Sequence, residues 1–208
     1  MIVLTEKIEF PDVSLATRDG LLAIGGDLSV ERLLLAYKSG IFPWFEIEQP
    51  LLWWSPDPRF VLYPEKLKIS KSMQQFLKKT EFRVTTNRAF EEVIKNCSKI
   101  KRVGQQGTWI TNTMIKAYCN LHELGYAKSV EVWDKDNLIG GLYGIDLNNK
   151  VFYGESMFSK KSNASKLAFI KLIEQSNYKL IDCQVHTKHL ESLGAEEIPR
   201  ENFIKIIN

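Results

Sequence analysis

Two short apolar runs each carry a carboxylate: Val151-Phe152-Tyr153-Gly154-Glu155-Ser156-Met157-Phe158 and Leu180-Ile181-Asp182-Cys183-Gln184-Val185. A carboxylate in apolar surroundings is costly unless it is partnered or has chemistry to do. Both runs read as strands, whose side chains alternate between two faces. Tyr153, Glu155 and Met157 then share one face of the first. Asp182 and Gln184 share a polar face of the second, opposite Ile181, Cys183 and Val185. Glu155, Asp182 and Gln184 are the candidate working groups, with a satisfied buried polar network as the alternative. Cys183, on the apolar back, reads as a buried structural thiol rather than a nucleophile. His186 and His189 are spaced only weakly like a metal pair, and no third ligand is evident, so no metal is expected.

The elements around these runs follow from periodicity and caps. Strands are expected at 129–133, 138–145 and 151–158, joined by Asp134-Lys135-Asp136-Asn137 and by Asn148-Asn149 as a meander. A helix capped by Asn163 or Ser162 runs to about 176 and leads into the Asp182 strand. A helix over 188–193 stops at Gly194, and a last one follows Pro199. Thr111 starts a helix with Met114, Ile115, Tyr118 and Leu121 on one stripe, ended by Gly125. Upstream, Ser29, Ser70 and Asn87 read as N-caps, and residues 98–107 as an exposed loop that marks a composition break. Residues up to about 59 are rich in Gly, Pro and Trp and read as rigid loops around a small core. The expected organisation is α+β. A small N-terminal domain occupies residues 1–62, and residues 63–208 form a domain with a mostly antiparallel sheet. A meander followed by a helix and a further strand resembles the GNAT-like N-acyltransferase fold.

Composition narrows the class. Apolar and aromatic content suits a packed core, and no run is long enough to span a membrane. The N-terminus lacks the pattern of a signal peptide, and three scattered cysteines argue for a reducing cytoplasm over a disulfide framework. The net charge of +3 hides an asymmetry: residues 65–102 hold eleven Lys and Arg against four Glu, a local +7 that leaves −4 elsewhere. Such a block suits a polyanion, or is an ordinary solvated helical face.

Eight segments, in order across nearly the whole chain, resemble the leucyl/phenylalanyl-tRNA–protein transferase family. They are Gly20-Leu21-Leu22-Ala23-Ile24-Gly25-Gly26-Asp27-Leu28-Ser29, Gly40-Ile41-Phe42-Pro43-Trp44-Phe45, Trp53-Trp54-Ser55-Pro56-Asp57-Pro58-Arg59, Gly107-Thr108-Trp109-Ile110-Thr111, Leu121-His122-Glu123-Leu124-Gly125, Gly154-Glu155-Ser156-Met157-Phe158-Ser159, Asp182-Cys183-Gln184 and His189-Leu190-Glu191-Ser192-Leu193-Gly194-Ala195. The resemblance implies transfer of Leu or Phe, less well Met, from aminoacyl-tRNA to the N-terminal Arg or Lys of an acceptor protein, marking it for N-end rule degradation. It implies no cofactor.

On that reading, Gln184 accepts a hydrogen bond from the attacking amine, with its orientation fixed by Asp182. Glu155 meets the acceptor's cationic N-terminus. Met157 lines an apolar pocket for the donor side chain. Trp44 and Trp109 flank the terminal adenosine, with Tyr37 and Tyr118 lining the same slot. Lys71, Lys78, Lys79 and Arg83 contact tRNA phosphates. Two rivals stay open: an acetyl-CoA-dependent N-acetyltransferase, disfavoured because Ser159-Lys160-Lys161-Ser162 has no phosphate-loop glycine, and a non-catalytic RNA-binding protein.

Overall fold

A computed structural model describes residues 2–46, 48–100 and 108–208. The chain opens with β1 (Ile2–Leu4), β2 (Leu21–Gly25), α1 (Val30–Lys38), β3 (Phe42–Pro43) and β4 (Leu52–Trp54). The strands form a small sheet in the order β1-β2-β4-β3. Ser29 starts α1, its hydroxyl accepting from the Arg32 N–H at 3.4 Å, and Gly40 follows the last turn at φ +73°. Where loops were expected up to residue 59, short strands pair instead; strands of two to five residues leave no alternating run to read.

Next come β5 (Arg59–Leu62), α2 (Lys71–Lys79), β6 (Arg83–Thr86), α3 (Phe90–Ser98) and α4 (Asn112–Glu123). The meander is β7 (Ala127–Asp134), β8 (Asn137–Asp146) and β9 (Val151–Ser159). After it come α5 (Ala164–Glu174), β10 (Leu180–Gln184), α6 (Lys188–Ser192), β11 (Glu196–Ile198) and α7 (Arg200–Ile207). Seven strands make one sheet in the order β11-β5-β10-β9-β8-β7-β6. Every pair in it is antiparallel except β9 with β10. A parallel step needs a crossover, which α5 makes. The α+β, mostly antiparallel architecture is therefore as expected. β5, on the N-terminal side of the expected boundary at 62, is a strand of this large sheet.

The large sheet carries a core on each face. Val151 and Tyr153 join Leu33, Trp53, Tyr118 and Phe203 in the first, which continues into the small sheet. Phe152, between them, joins Met73, Leu167, Phe169 and Ile181 in the second, under α2 and α5. No helix among the described residues is long and apolar enough to cross a membrane.

Three local expectations change. Asn87 does not cap α3; it takes φ +57° and its side chain accepts from the Ser129 N–H at 2.9 Å, pinning the turn to β7. The buried Glu131 on β7 instead accepts from the Arg88 and Ala89 N–H groups at the helix entrance. Asn163 stands at the start of α5 but its side chain makes no capping bond; Ser159 Oγ accepts from the Ser165 N–H at 3.2 Å. Strands β6 and β11 were not expected. Most of the expected 98–107 loop lies outside the described residues.

Candidate active site

Two β-bulges build the site. In the β8–β9 ladder Tyr143 faces Ser156 and Gly144 faces Gly154, so Glu155 is the extra residue. In the β5–β10 ladder Val61 faces Asp182 and Phe60 faces Gln184, so Cys183 is extra, and Gln184 takes φ +62°. Pairing of β9 with β10 ends at Tyr153 opposite Asp182. Beyond that point a cleft of about 320 Å³ is lined by both strands. The first bulge also resets the alternation of β9. Tyr153 and Phe158 belong to the first core, whereas Met157 packs with Phe152 on the second. Met157 therefore does not share the Glu155 face, as strict alternation had suggested, but it still lines the cleft.

Glu155 is buried, 8% exposed. Its Oε1 accepts from the Tyr37 hydroxyl and from Gln184 Nε2, both at 2.8 Å, and its Oε2 from the Tyr118 hydroxyl at 3.2 Å. The two tyrosine hydroxyls also bond to each other. Three contacts link two phenols and one carboxyl, and the phenols bring only two protons. A proton on Glu155 completes the set: its Oε2 then donates to the Tyr118 hydroxyl, Tyr118 donates to Tyr37, and Tyr37 donates to Oε1, whereas in the ionised form both oxygens accept. Burial agrees: it pushes the Glu155 carboxyl up to about 7, against the pull of its three donors and with a further push from Asp182. Burial and the Glu155 charge raise both phenols well above their usual range.

Asp182 is fully buried. Arg59 grips it with a fork, Nε to Oδ1 at 2.8 Å and Nη2 to Oδ2 at 2.6 Å. The guanidinium lies between the Phe42 and Phe203 rings, 4.7 and 4.6 Å from their centroids, and Nη1 donates to Gly40 O at 3.3 Å. Asp182 Oδ1 also accepts the Gln184 N–H at 2.9 Å. Asp182 thus holds the Gln184 backbone while Glu155 holds its amide nitrogen. No donor among the described residues meets the Gln184 amide oxygen in the hydrogen-bond network.

Trp44 and Trp109 line the same cleft as Glu155, Asp182 and Gln184. The Trp44 carbonyl accepts from Trp54 Nε1 at 2.7 Å, and the two rings lie 5.8 Å apart. Phe152, Met157, Phe169 and Leu190 give another part of the cleft an apolar wall.

The comparisons fit this arrangement. The family model for leucyl/phenylalanyl-tRNA protein transferase matches residues 61–208, and the model for that family's N-terminal domain matches residues 26–57. The leucyl/phenylalanyl-tRNA–protein transferase of Flavobacterium johnsoniae is 61% identical over 210 residues, covering 100% of this chain and 99% of that one. The chain belongs to the leucyl/phenylalanyl-tRNA–protein transferase family. A second member, from Flavobacterium psychrophilum, is 58% identical over 100% of this chain and 99% of its own. Among solved structures, a GCN5-related N-acetyltransferase from Kribbella flavida covers 79% of this chain and 59% of its own at 9% identity, with a TM-score of 0.38. That distant likeness adds nothing to the strand order above.

In this member of the transferase family, Tyr37 and Tyr118 do not line the cleft; they are buried beneath Glu155, 1% and 0% exposed. Lys71, Lys78, Lys79 and Arg83 are exposed on α2 and β6, outside the cleft lining, and Arg83 lies 5.4 Å over the Trp133 ring. Cys183 lines the cleft, but burial raises its thiol far above the range of a reactive thiolate. His186 pairs with Glu191 at 3.2 Å, and no group of three His, Cys, Asp or Glu converges among the described residues. Arg59 is the residue the sequence reading missed. Its only signal was its place at the end of the Trp53–Arg59 segment, 123 residues from its partner.

Proposed function

We propose that the cleft takes the 3′ end of a tRNA charged with leucine or phenylalanine, less readily methionine, and passes the amino acid to the N-terminus of a protein beginning with arginine or lysine. The observation that carries this reading is one cleft lined by Trp44 and Trp109, by Glu155, Asp182 and Gln184, and by an apolar wall. The tryptophans stack on the terminal adenosine, worth about 1–3 kcal/mol per base. The apolar wall with Met157 receives the donor side chain. The ester is already activated, so ordered approach of the amine supplies much of the rate.

The amine attacks the ester carbonyl, the new C–N bond forms, and the ribose oxygen departs with the proton the amine gives up. Gln184 accepts a hydrogen bond from the amine through its amide oxygen, which meets no donor among the described residues. An amide is barely basic, so its part is to aim the nitrogen. Both Glu155 oxygens are already engaged, so Glu155 acts on the amine through Gln184 rather than by the direct pairing with the acceptor's cationic N-terminus expected from the sequence. Phosphates of the tRNA body meet Lys71, Lys78, Lys79 and Arg83. Dependence on charged tRNA places the reaction in the cytoplasm, and its products carry N-termini marked for N-end rule degradation. The full-length identity to the two named transferases favours this over acetyl-CoA chemistry or RNA binding alone. The test is transfer of labelled leucine from charged tRNA to a peptide beginning with arginine, beside one beginning with alanine. Label in the arginine peptide alone is expected; no label, or equal label in both, overturns the proposal.

A further inference from the structure

A second cavity, of about 660 Å³, is lined by residues that alternate with those of the cleft. Trp44 and Trp109 line the cleft, whereas their chain neighbours Phe45, Thr108 and Ile110 line the second cavity. Two short segments therefore form a wall shared by both spaces. The volume suits a small-molecule group. Its described lining combines apolar side chains, Leu28 and Phe45 among them, with hydroxyl and amide groups, among them Thr108 and Asn112. The Thr108 hydroxyl accepts from the Ile110 N–H at 3.1 Å and keeps its own proton to donate.

We propose that this cavity takes the penultimate nucleotide of the donor tRNA, base against Leu28 and Phe45 and sugar-phosphate toward Thr108 and Asn112. The inference rests on the cleft being the seat of the terminal adenosine, because the segments that carry Trp44 and Trp109 also line this cavity through Phe45, Thr108 and Ile110. Transfer RNAs end in CCA, so the incoming base is cytosine. Asp27 stands in the cavity lining as a half-exposed carboxylate. It accepts from the Ser29 N–H at 2.8 Å and from Arg32 Nε and Nη2 at 3.3 Å each, which leaves lone-pair capacity for the cytosine amino group. Uracil presents a carbonyl at that place, which a carboxylate repels. A cationic acceptor fits less well, because Asp27, the carboxylate among the described lining residues, already has a guanidinium.

The test uses the full chain and three non-hydrolysable probes: 3′-leucylamino-3′-deoxyadenosine, its cytidylyl-extended form and its uridylyl-extended form. Calorimetry should show the cytidylyl probe binding about tenfold or more tightly than the nucleoside, as one further stacked base allows. The uridylyl probe should gain less than about threefold. Thr113 is an exposed residue of the cavity lining. Thr113→Trp, which fills the space, should abolish the cytidylyl gain and leave nucleoside affinity within about twofold; Asp27→Asn should erase the preference for cytidine over uridine. Equal affinity of nucleoside and cytidylyl probe in the wild type overturns the proposal, as does a gain that survives Thr113→Trp. Equal gains for cytidine and uridine overturn the Asp27 contact. A nucleoside that does not bind at all sinks the reading of the cleft instead.

Discussion

Tyr37, Tyr118 and Gln184 hold the Glu155 carboxyl, and burial pushes it up to about 7. The sign of its linkage is unusual for a carboxylate. Its pKa is raised above the ordinary value of 4.5, so its contribution to stability is full below that value and is lost as pH rises through about 7. Glu155→Gln removes that pH dependence. The variant should gain stability relative to wild type between pH 5 and pH 8, by on the order of 2–3 kcal/mol. Transfer by the wild type should rise as Glu155 ionises near pH 7, and the variant should lack that inflection. Paired denaturation curves and pH–rate profiles check both; an inflection near 7 that persists in the variant assigns it to another group. Glu155, Asp182 and Gln184 stood out in the sequence because a carboxylate in an apolar strand is conspicuous, and the fold brings all three to one cleft. Arg59 did not stand out, because a lone arginine after two prolines carries no local pattern. Only the fold brings it to Asp182.

The bulges at Glu155 and Cys183 do what the strands alone could not: they aim Glu155 at the tyrosines and turn Gln184 toward it. Opposite the first bulge is Gly144. A Cβ there would stand 2.3 Å from the Tyr153 carbonyl oxygen and 2.6 Å from the Phe152 ring. Gly144→Ala should therefore shift β9, destabilise the protein by about 1–3 kcal/mol and lower transfer. Chemical denaturation with parallel kinetics is the measurement, and a neutral substitution contradicts the role given to the bulge. The long meander and α4 were readable because eight or more residues keep a period and Thr111 caps the helix. β3, β6 and β11 were not, being two to four residues long. A bulge is invisible to alternation, which is why Met157 was placed on the wrong face.

The whole molecule keeps the exposed cations of α2 and β6 out of the cleft lining, with β6 at the sheet edge three strands from β9. This division suits an extended ligand whose end is chemically read and whose body is held by charge. Binding of charged tRNA should weaken steeply with salt, and the triple Lys71, Lys78, Lys79→Gln variant should lower the slope of log K against log salt by about 1 for each phosphate it no longer neutralises. An unchanged slope leaves these lysines as ordinary surface. The basic block was visible in composition, but its separation from the cleft was not, because charge counts carry no geometry. The most direct measurement of the central claim separates chemistry from binding in Gln184→Ala. In that variant kcat for leucine transfer should fall about 100-fold or more while Kd for a non-hydrolysable leucyl-tRNA stays within about threefold. Equal losses in kcat and in tRNA affinity would contradict that claim.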